Sequence, residues 1–389
     1  MKVYQVYNQQ RSLFGGEPAV VDNTMRLLEM NGHVPVLVMK SSRGIEKSLI
    51  RKVGAFCGGI YNIKAYYEMR NLLKEDPPDL VHVHSVYPMF SPSVLVACRR
   101  AGIPIVMTVH SHILTCPNWY HLYKGMICEE CLGGHEYRCI LKNCRENILE
   151  SSAYALRSSI ARAFSLFHDN VTLFIVLSNF GKRQLMRAGF RDEQIDVVPN
   201  ATSVSNLAVN PVAGEYIAFA GRVSREKGID TLLSAAERLP QIPVKLAGEG
   251  PVFPEMAARA LSNAKFIGML DHDKLVSFYR KSRFVVVPSL TFEQFPMVAV
   301  DAMALELPVV ASRIGGLPEV VEDGVTGLLF EPGNAEDLAN KLRFLWESPE
   351  LCRRMGKAGR EKVVHQYSQN VYYKNLMEVY EKAIKLSGK

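Results

Sequence analysis

Two carboxylates flank a segment of this chain that is built to meet an anion. Glu293 and Asp301 stand eight positions apart in the stretch Pro288–Asp301, PSLTFEQFPMVAVD. The run before it, Phe284-Val285-Val286-Val287, is short and β-branched, as a strand buried on both faces is. Pro296 suits the first position of a helix, where its missing N–H costs nothing and its fixed φ helps. A helix start offers unpaired N–H groups and a positive dipole end, which attract phosphate. Acids beside such a site would repel phosphate, so their expected partners are sugar hydroxyls, and the combination points to a sugar nucleotide. Upstream, Gly221-Arg222-Val223-Ser224-Arg225-Glu226-Lys227-Gly228 joins two glycines that permit tight turns to cations at Arg222 and Lys227. Such cations suit a diphosphate leaving group, on which charge grows as a glycosidic bond breaks.

Alternating strand and helix signals surround these segments. In the first half, strands are expected at Val3–Val6, Val36–Met39, Leu80–His84, Ile105–His110, Phe174–Ser178 and Ile195–Pro199, with an amphipathic helix over about 18–31. Pro35 stands just before the second strand, where a strand start tolerates it. A polar, turn-rich linker covers 201–215. A second series follows at Tyr216–Ala220, Val244–Ala247, Lys265–Ile267, Phe284–Pro288, Val309–Ser312 and Gly327–Phe330. Repeated β-α-β units imply parallel sheets covered by helices. The expected division is a Rossmann-like domain at 1–205, a second Rossmann-like domain at 206–368, and a final helix from 369 that packs back on the first. Two such doubly wound α/β domains would face each other across a deep cleft, where ligands bind in sheets of this kind.

Composition narrows the class. A chain of 389 residues, 48% hydrophobic and 22% charged, is long enough for two globular cores. No apolar run reaches the ~18–20 residues that span a bilayer. The N-terminus lacks the apolar core of a signal peptide, so the expected compartment is the cytoplasm. The net charge of +7 is uneven: residues 1–204 hold 23 Lys/Arg against 17 Asp/Glu. That basic half, including the region Tyr66–Leu73, would suit an anionic membrane face or a pyrophosphate-linked acceptor as well as plain solvated surface. No nucleic-acid motif accompanies it. Near the N-terminus, Phe14-Gly15-Gly16-Glu17 follows the first strand; its Gly-Gly turn lets a ligand approach the backbone, and it is not the G-x-G-x-x-G of dinucleotide sites.

Taken in order, these pieces resemble the family 4 retaining glycosyltransferases of GT-B fold. The resemblance runs almost end to end: G-G-E at 15–17, T-V-H at 108–110, V-P-N at 198–200, G-R…E-K-G at 221–228, A-G-E-G-P at 247–251, F-I-G at 266–268, P-S…E-Q-F-P at 288–296 and G-G-L-P-E-V-V at 315–321. It implies that Arg222 and Lys227 hold the donor diphosphate and that Glu293 meets the hydroxyls of a transferred hexose. It implies further that Phe295, Pro296, Met297 and Val298 offer backbone to sugar and phosphate, and that Asp301 binds the ribose diol. Gly268, Met269 and Leu270 would lie by the base, Gly16 by phosphate and acceptor, and His110 by the sugar's reacting face. In that family the acceptor is thought to attack on the leaving-group face, with a donor phosphate oxygen taking its proton. No cofactor is then needed: the Arg222/Lys227 pair stands in for a divalent ion. The acceptor would be a saccharide or a lipid-linked saccharide, with the enzyme cytoplasmic or peripheral on the membrane's inner face, in polysaccharide or glycoconjugate synthesis. Two departures stand out: Asp301 replaces the family's glutamate, and Glu306 occupies a turn where glycine is usual.

Five of the eight cysteines fall between Cys116 and Cys144. The C-x2-C pair Cys128/Cys131 can chelate a metal from one tight turn. The surrounding text, within an insertion at about 112–148, resembles one found in a subset of these enzymes. That match favours Cys116, Cys128, Cys131 and Cys144 as a structural zinc tetrad with Cys139 spare. Reduced thiols packing a loop, or disulfides, are the alternatives. Cys57, Cys98 and Cys352 read as isolated core positions, and His82 and His84 as satisfied histidines rather than metal ligands. Two other functions fit parts of the pattern: a nucleotide-sugar epimerase, which the end-to-end match opposes, and a silent sugar-nucleotide-binding scaffold, which intact Arg222, Lys227 and Glu293 oppose.

Overall fold

The computed structural model describes residues 1–9, 16–42, 58–203, 211–259 and 261–388. Gly15, Cys57 and positions 204–210 of the linker lie outside the described residues. Contacts divide the chain into two compact units. The first holds Met1–His121, Cys128–Pro199 and Tyr372–Lys389; the second holds Leu122–Ile127 and Asn200–Val371.

Chain order gives strands β1 (Lys2–Gln9), β2 (Val34–Ser41), β3 (Leu80–Val83), β4 (Ile105–Thr108), the small hairpin β5 (Leu122–Tyr123) and β6 (Met126–Ile127), β7 (Leu173–Val176) and β8 (Ile195–Val197). The chain continues with β9 (Tyr216–Ala220), β10 (Val244–Ala247), β11 (Ala264–Gly268), β12 (Ser282–Val287), β13 (Val309–Ser312) and β14 (Gly327–Phe330). The first sheet runs β2-β1-β3-β4-β7-β8 and the second β11-β10-β9-β12-β13-β14, every pair parallel. Parallel pairing forces each connection to cross over through a helix, so both faces are covered and central strands are apolar throughout. Accordingly every residue of β3, β4, β7, β9 and β13 is buried. β2, at an edge, alternates in burial and accommodates Pro35 within the strand.

The chain order reverses between β1 and β3 in the first sheet and between β9 and β12 in the second. Loops diverge at such a point and leave a crevice beyond the strand ends. In the first unit the helix Gly16–Met30, His84 and His110 follow β1, β3 and β4; in the second, Gly221–Gly228 and Pro288–Pro296 follow β9 and β12. The last helix, Gln369–Leu386, begins where expected.

One local conflict is visible. Glu306 adopts φ +63°, the left-handed backbone that side chains resist. It persists because the helix Pro349–Gln366 passes so close that a Cβ on Gly356 would lie 1.8 Å from the Glu306 carbonyl oxygen. Glu306→Gly is expected to stabilise the chain by about 0.5–1 kcal/mol after glycine's greater unfolded freedom is deducted. Urea denaturation measures this, and an unchanged or lower midpoint would contradict it.

Candidate functional site

The second unit brings Lys227 and Glu293 together across 66 positions: Lys227 Nζ lies 2.5 Å from Glu293 Oε1. Ser289 Oγ donates to the same oxygen at 2.6 Å. Three backbone devices hold this cluster. Gly228 takes φ +71°, and a Cβ there would sit 1.8 Å from the Pro288 carbonyl oxygen. The Leu290 N–H donates to the Glu226 carbonyl at 2.8 Å, tying the two loops. The Gly316 N–H donates to the Glu293 carbonyl at 2.7 Å, while Gly315, at φ +60°, lies with its Cβ position 2.7 Å from the Glu293 nitrogen. The two glycines of G-G-L-P thus give Glu293 room. Further along, a Cβ on Gly248 would fall 1.8 Å from the Gly221 carbonyl oxygen, so A-G-E-G-P seats the loop after β10 against the loop after β9. Arg222 pairs with Glu226 on its own loop.

The helix start differs from expectation by one position. The helix runs Met297–Ala304 and Pro296 is its N-cap, at φ −81° and ψ 90°. The N-cap is extended rather than helical, and proline's fixed φ serves there as well as it would at the first helical position. No side chain caps this helix. Phe295 is buried, its ring edge-on to Tyr367 with ring centroids 5.1 Å apart. Asp301 accepts a 2.6 Å hydrogen bond from Thr202 Oγ1. Burial pushes its carboxyl up to about 6, against the lowering effects of Thr202 and His272. Gly268, at φ +73°, ends β11 and passes its carbonyl to the Gly248 N–H at 2.8 Å, leaving Met269 exposed beyond it.

The first unit organises His110 through a buried relay. His110 Nε2 is 3.0 Å from His84 Nδ1, and the rings stack. His84 Nε2 lies 2.8 Å from Gln5 Oε1, and Gln5 Nε2 donates to Tyr380 Oη at 3.3 Å. Tyr380 Oη in turn lies 2.7 Å from His82 Nδ1, whose Nε2 reaches Thr108 Oγ1 at 2.8 Å. With the amide so placed, Gln5 Oε1 can only accept, so neutral His84 is protonated at Nε2 and His110 donates from Nε2. The free lone pair of His110 is then at Nδ1. Burial lowers His110 to about 4 and His82 to about 3, and drives His84 well down, so all three are neutral at pH 7. His82 and His84 are satisfied histidines, as expected. Glu17, His84, Ser85, His110 and Trp119 line a cavity of about 20 Å³ beyond β3 and β4. A larger one, about 310 Å³, adjoins it and shares Tyr87, Ile113 and Phe167.

The cysteine cluster lends the expected zinc tetrad no support of its own. Cys116, Cys128, Cys131 and Cys144 are near enough for their charges to help burial raise Cys131 to about 12. Yet among the described residues no three Cys, His, Asp or Glu side chains are grouped to hold a metal. Cys139, expected to be spare, is fully buried with Cys131 against Ala155 and hydrogen-bonds Cys144. That hydrogen bond holds the Cys144 thiol below its usual range. Among the described cysteines none is in a disulfide, and Cys98 and Cys352 are core residues.

Reading by motif left Ser289 and Gly316 without roles, although both stand in the motifs quoted. Glu17 was part of G-G-E and equally unassigned, and Trp119 and Gln5 carried no local signal at all. Their significance lies in contacts made across long sequence separations.

The chain matches the family model for Glycosyltransferase Family 4 over residues 14–206 and that for Glycosyl transferases group 1 over residues 209–362. It is 28% identical over 361 residues to an uncharacterised glycosyltransferase of Methanocaldococcus jannaschii, covering 89% of each chain. Its fold is similar to that of a sucrose-phosphate synthase from Thermosynechococcus elongatus, with TM-score 0.71, 20% identity and 98% of each chain covered. An Anabaena protein solved with UDP gives TM-score 0.67 at 17% identity, over 98% of this chain and all of that one. Two doubly wound parallel units, the order of the loop motifs and these matches agree: the chain belongs to the family 4 glycosyltransferases and has the GT-B fold.

Proposed function

We propose that this glycosyltransferase moves a hexose from a UDP- or GDP-linked donor to a saccharide or lipid-linked saccharide, with retention of configuration and without a metal ion. The carrying observation is the Lys227–Glu293–Ser289 cluster at the switch point of the second sheet. On this reading the ammonium of Lys227 leaves Glu293 for the incoming diphosphate, assisted by Arg222 and by the uncapped N–H groups at Met297 and Val298. Glu293 and Ser289 then face hydroxyls of the hexose, and Asp301 takes the ribose diol. Gly268, Met269 and Leu270 border the base, with Gly16 near the phosphate. The anomeric carbon–oxygen bond to the diphosphate breaks as the acceptor oxygen bonds that carbon on the same face. The acceptor proton passes to a diphosphate oxygen. Neutral His110, its tautomer set by His84 and Gln5, accepts a hydrogen bond at Nδ1 from a hydroxyl of the transferred sugar.

The excess of cations in residues 1–204 supports work at an anionic membrane face from the cytoplasmic side. Among the described residues no helix is long and apolar enough to cross a membrane. A thermal-shift panel of UDP-glucose, UDP-galactose, UDP-N-acetylglucosamine and GDP-mannose tests the donor, since a ligand at a hundred times its Kd stabilises by about 2.7 kcal/mol. One donor is expected to raise Tm and to release nucleotide slowly in EDTA, with the freed sugar keeping its anomeric configuration. A panel in which no donor binds or is turned over would refute the proposal.

A further inference from the structure

Two residues that line the small cavity beside His110 each carry a buried polar atom with no hydrogen-bond partner among the described residues: Glu17 Oε1 and Trp119 Nε1. One is an acceptor and the other a donor. Each left unpaired out of water costs on the order of 1–3 kcal/mol, more for a charged group. Such atoms are rare in native proteins and mark a missing partner. A cavity of about 20 Å³ has room for about one hydroxyl or water. A hydroxyl is the group that serves both atoms, giving its proton to a carboxylate and taking one from an indole N–H.

The two residues are placed by separate parts of the first unit. Glu17 is the second residue of the helix after β1, and its carboxyl is engaged by Ser85 just beyond β3. Trp119 comes from the loop after β4, takes φ +74°, and its ring is packed against Tyr154 and the Arg157 guanidinium. Its position is therefore determined by packing on the helix Ile148–Ala163 rather than by the cavity. The adjoining cavity of about 310 Å³ is walled by Ile113, Leu114, Pro117 and Phe190 with polar Glu136 and Arg162, a mixture suited to the body of a sugar ring.

We propose that Glu17 and Trp119 form a hydroxyl-binding subsite for a saccharide acceptor, with one sugar hydroxyl in the small cavity and the rest of the ring in the larger one. This rests on the glycosyltransferase reading above and adds the recognition chemistry of the acceptor. Glu17 here is a binding residue that orients the acceptor; no proton transfer to it is involved. Burial raises its carboxyl to about 7 against the opposing Ser85 hydrogen bond.

The test separates the two readings by using two probes. UDP titrated by calorimetry reports the second unit, and methyl α-D-glucoside, α-D-galactoside and α-D-mannoside, followed by saturation-transfer NMR, report the subsite. At least one methyl glycoside is expected to bind the wild type. Glu17→Gln, which keeps shape but changes the acceptor set, should weaken it about tenfold or more, and Trp119→Phe by a similar factor, with UDP affinity unchanged within twofold. The 15N-resolved spectrum of His110 serves as the fold control for both variants. Glycoside binding that neither variant changes, or no glycoside binding by a wild type that binds UDP, would mean the cavity holds water only and overturn the proposal. Failure of UDP to bind while a glycoside does would instead count against the donor reading and leave the subsite standing.

Discussion

Lys227→Ala is expected to lower kcat/KM for sugar transfer by about 10²- to 10³-fold, the usual cost of losing one charge-stabilising donor at a developing anion. Lys227 is half-buried and its ammonium lies against Glu293. Removing it has two effects that add. The leaving diphosphate loses a cation, and Glu293 is left without the ammonium beside it, with Ser289 still donating to it, at the edge of the same site. That uncompensated carboxylate would repel the donor, so UDP affinity should fall together with the rate. Steady-state nucleotide release and UDP calorimetry measure the two effects. A loss below about fivefold in kcat/KM would show that Arg222 and the helix start suffice, and that the Lys227–Glu293 pair is structural.

The second large effect is expected from the smallest change. Gly228→Ala places a methyl group where 1.8 Å separates it from the Pro288 carbonyl oxygen, in a left-handed backbone at φ +71°. The backbone conformation costs about 1–2 kcal/mol and the overpacking about 1–3 kcal/mol, so a loss of roughly 2–5 kcal/mol is expected. The clash is with backbone, so relief must separate the loop after β9 from the loop after β12. Those are the loops that bring Lys227 to Glu293. UDP binding should therefore fail even where the chain remains folded. Gly102→Ala is the control: φ is +69° but nothing lies within 4 Å of the added Cβ, so only the backbone cost applies. Equal urea midpoints for the two variants would refute the contact argument.

Much of the fold was legible because a strand central to a parallel sheet is apolar on both faces and ends abruptly. β9, β10, β13 and β14 have the bounds that their apolar runs suggest. β2 was read four residues too short, since an edge strand carries polar residues that resemble a loop. Glu306 shows the same logic at one residue: a positive φ could be suspected from the turn, and is confirmed at +63°. The cysteines were less legible. Their spacing allowed a tetrad, but burial of Cys139 beneath the helix Ile148–Ala163 gives Cys144 a different partner.

By itself, then, the order of residues determined that two doubly wound units form and which loops carry cations, carboxylates and glycines. Those are consequences of local periodicity and of side-chain charge, which need no partner to be expressed. Only the tertiary structure decided that Lys227 meets Glu293, that His110 is neutral with its tautomer set from Gln5, and that Glu17 and Trp119 share one cavity. Each of these depends on desolvation or on hydrogen-bond direction between residues far apart in the chain. Such terms acquire a value only when packing removes water and brings the groups within about 3 Å of one another.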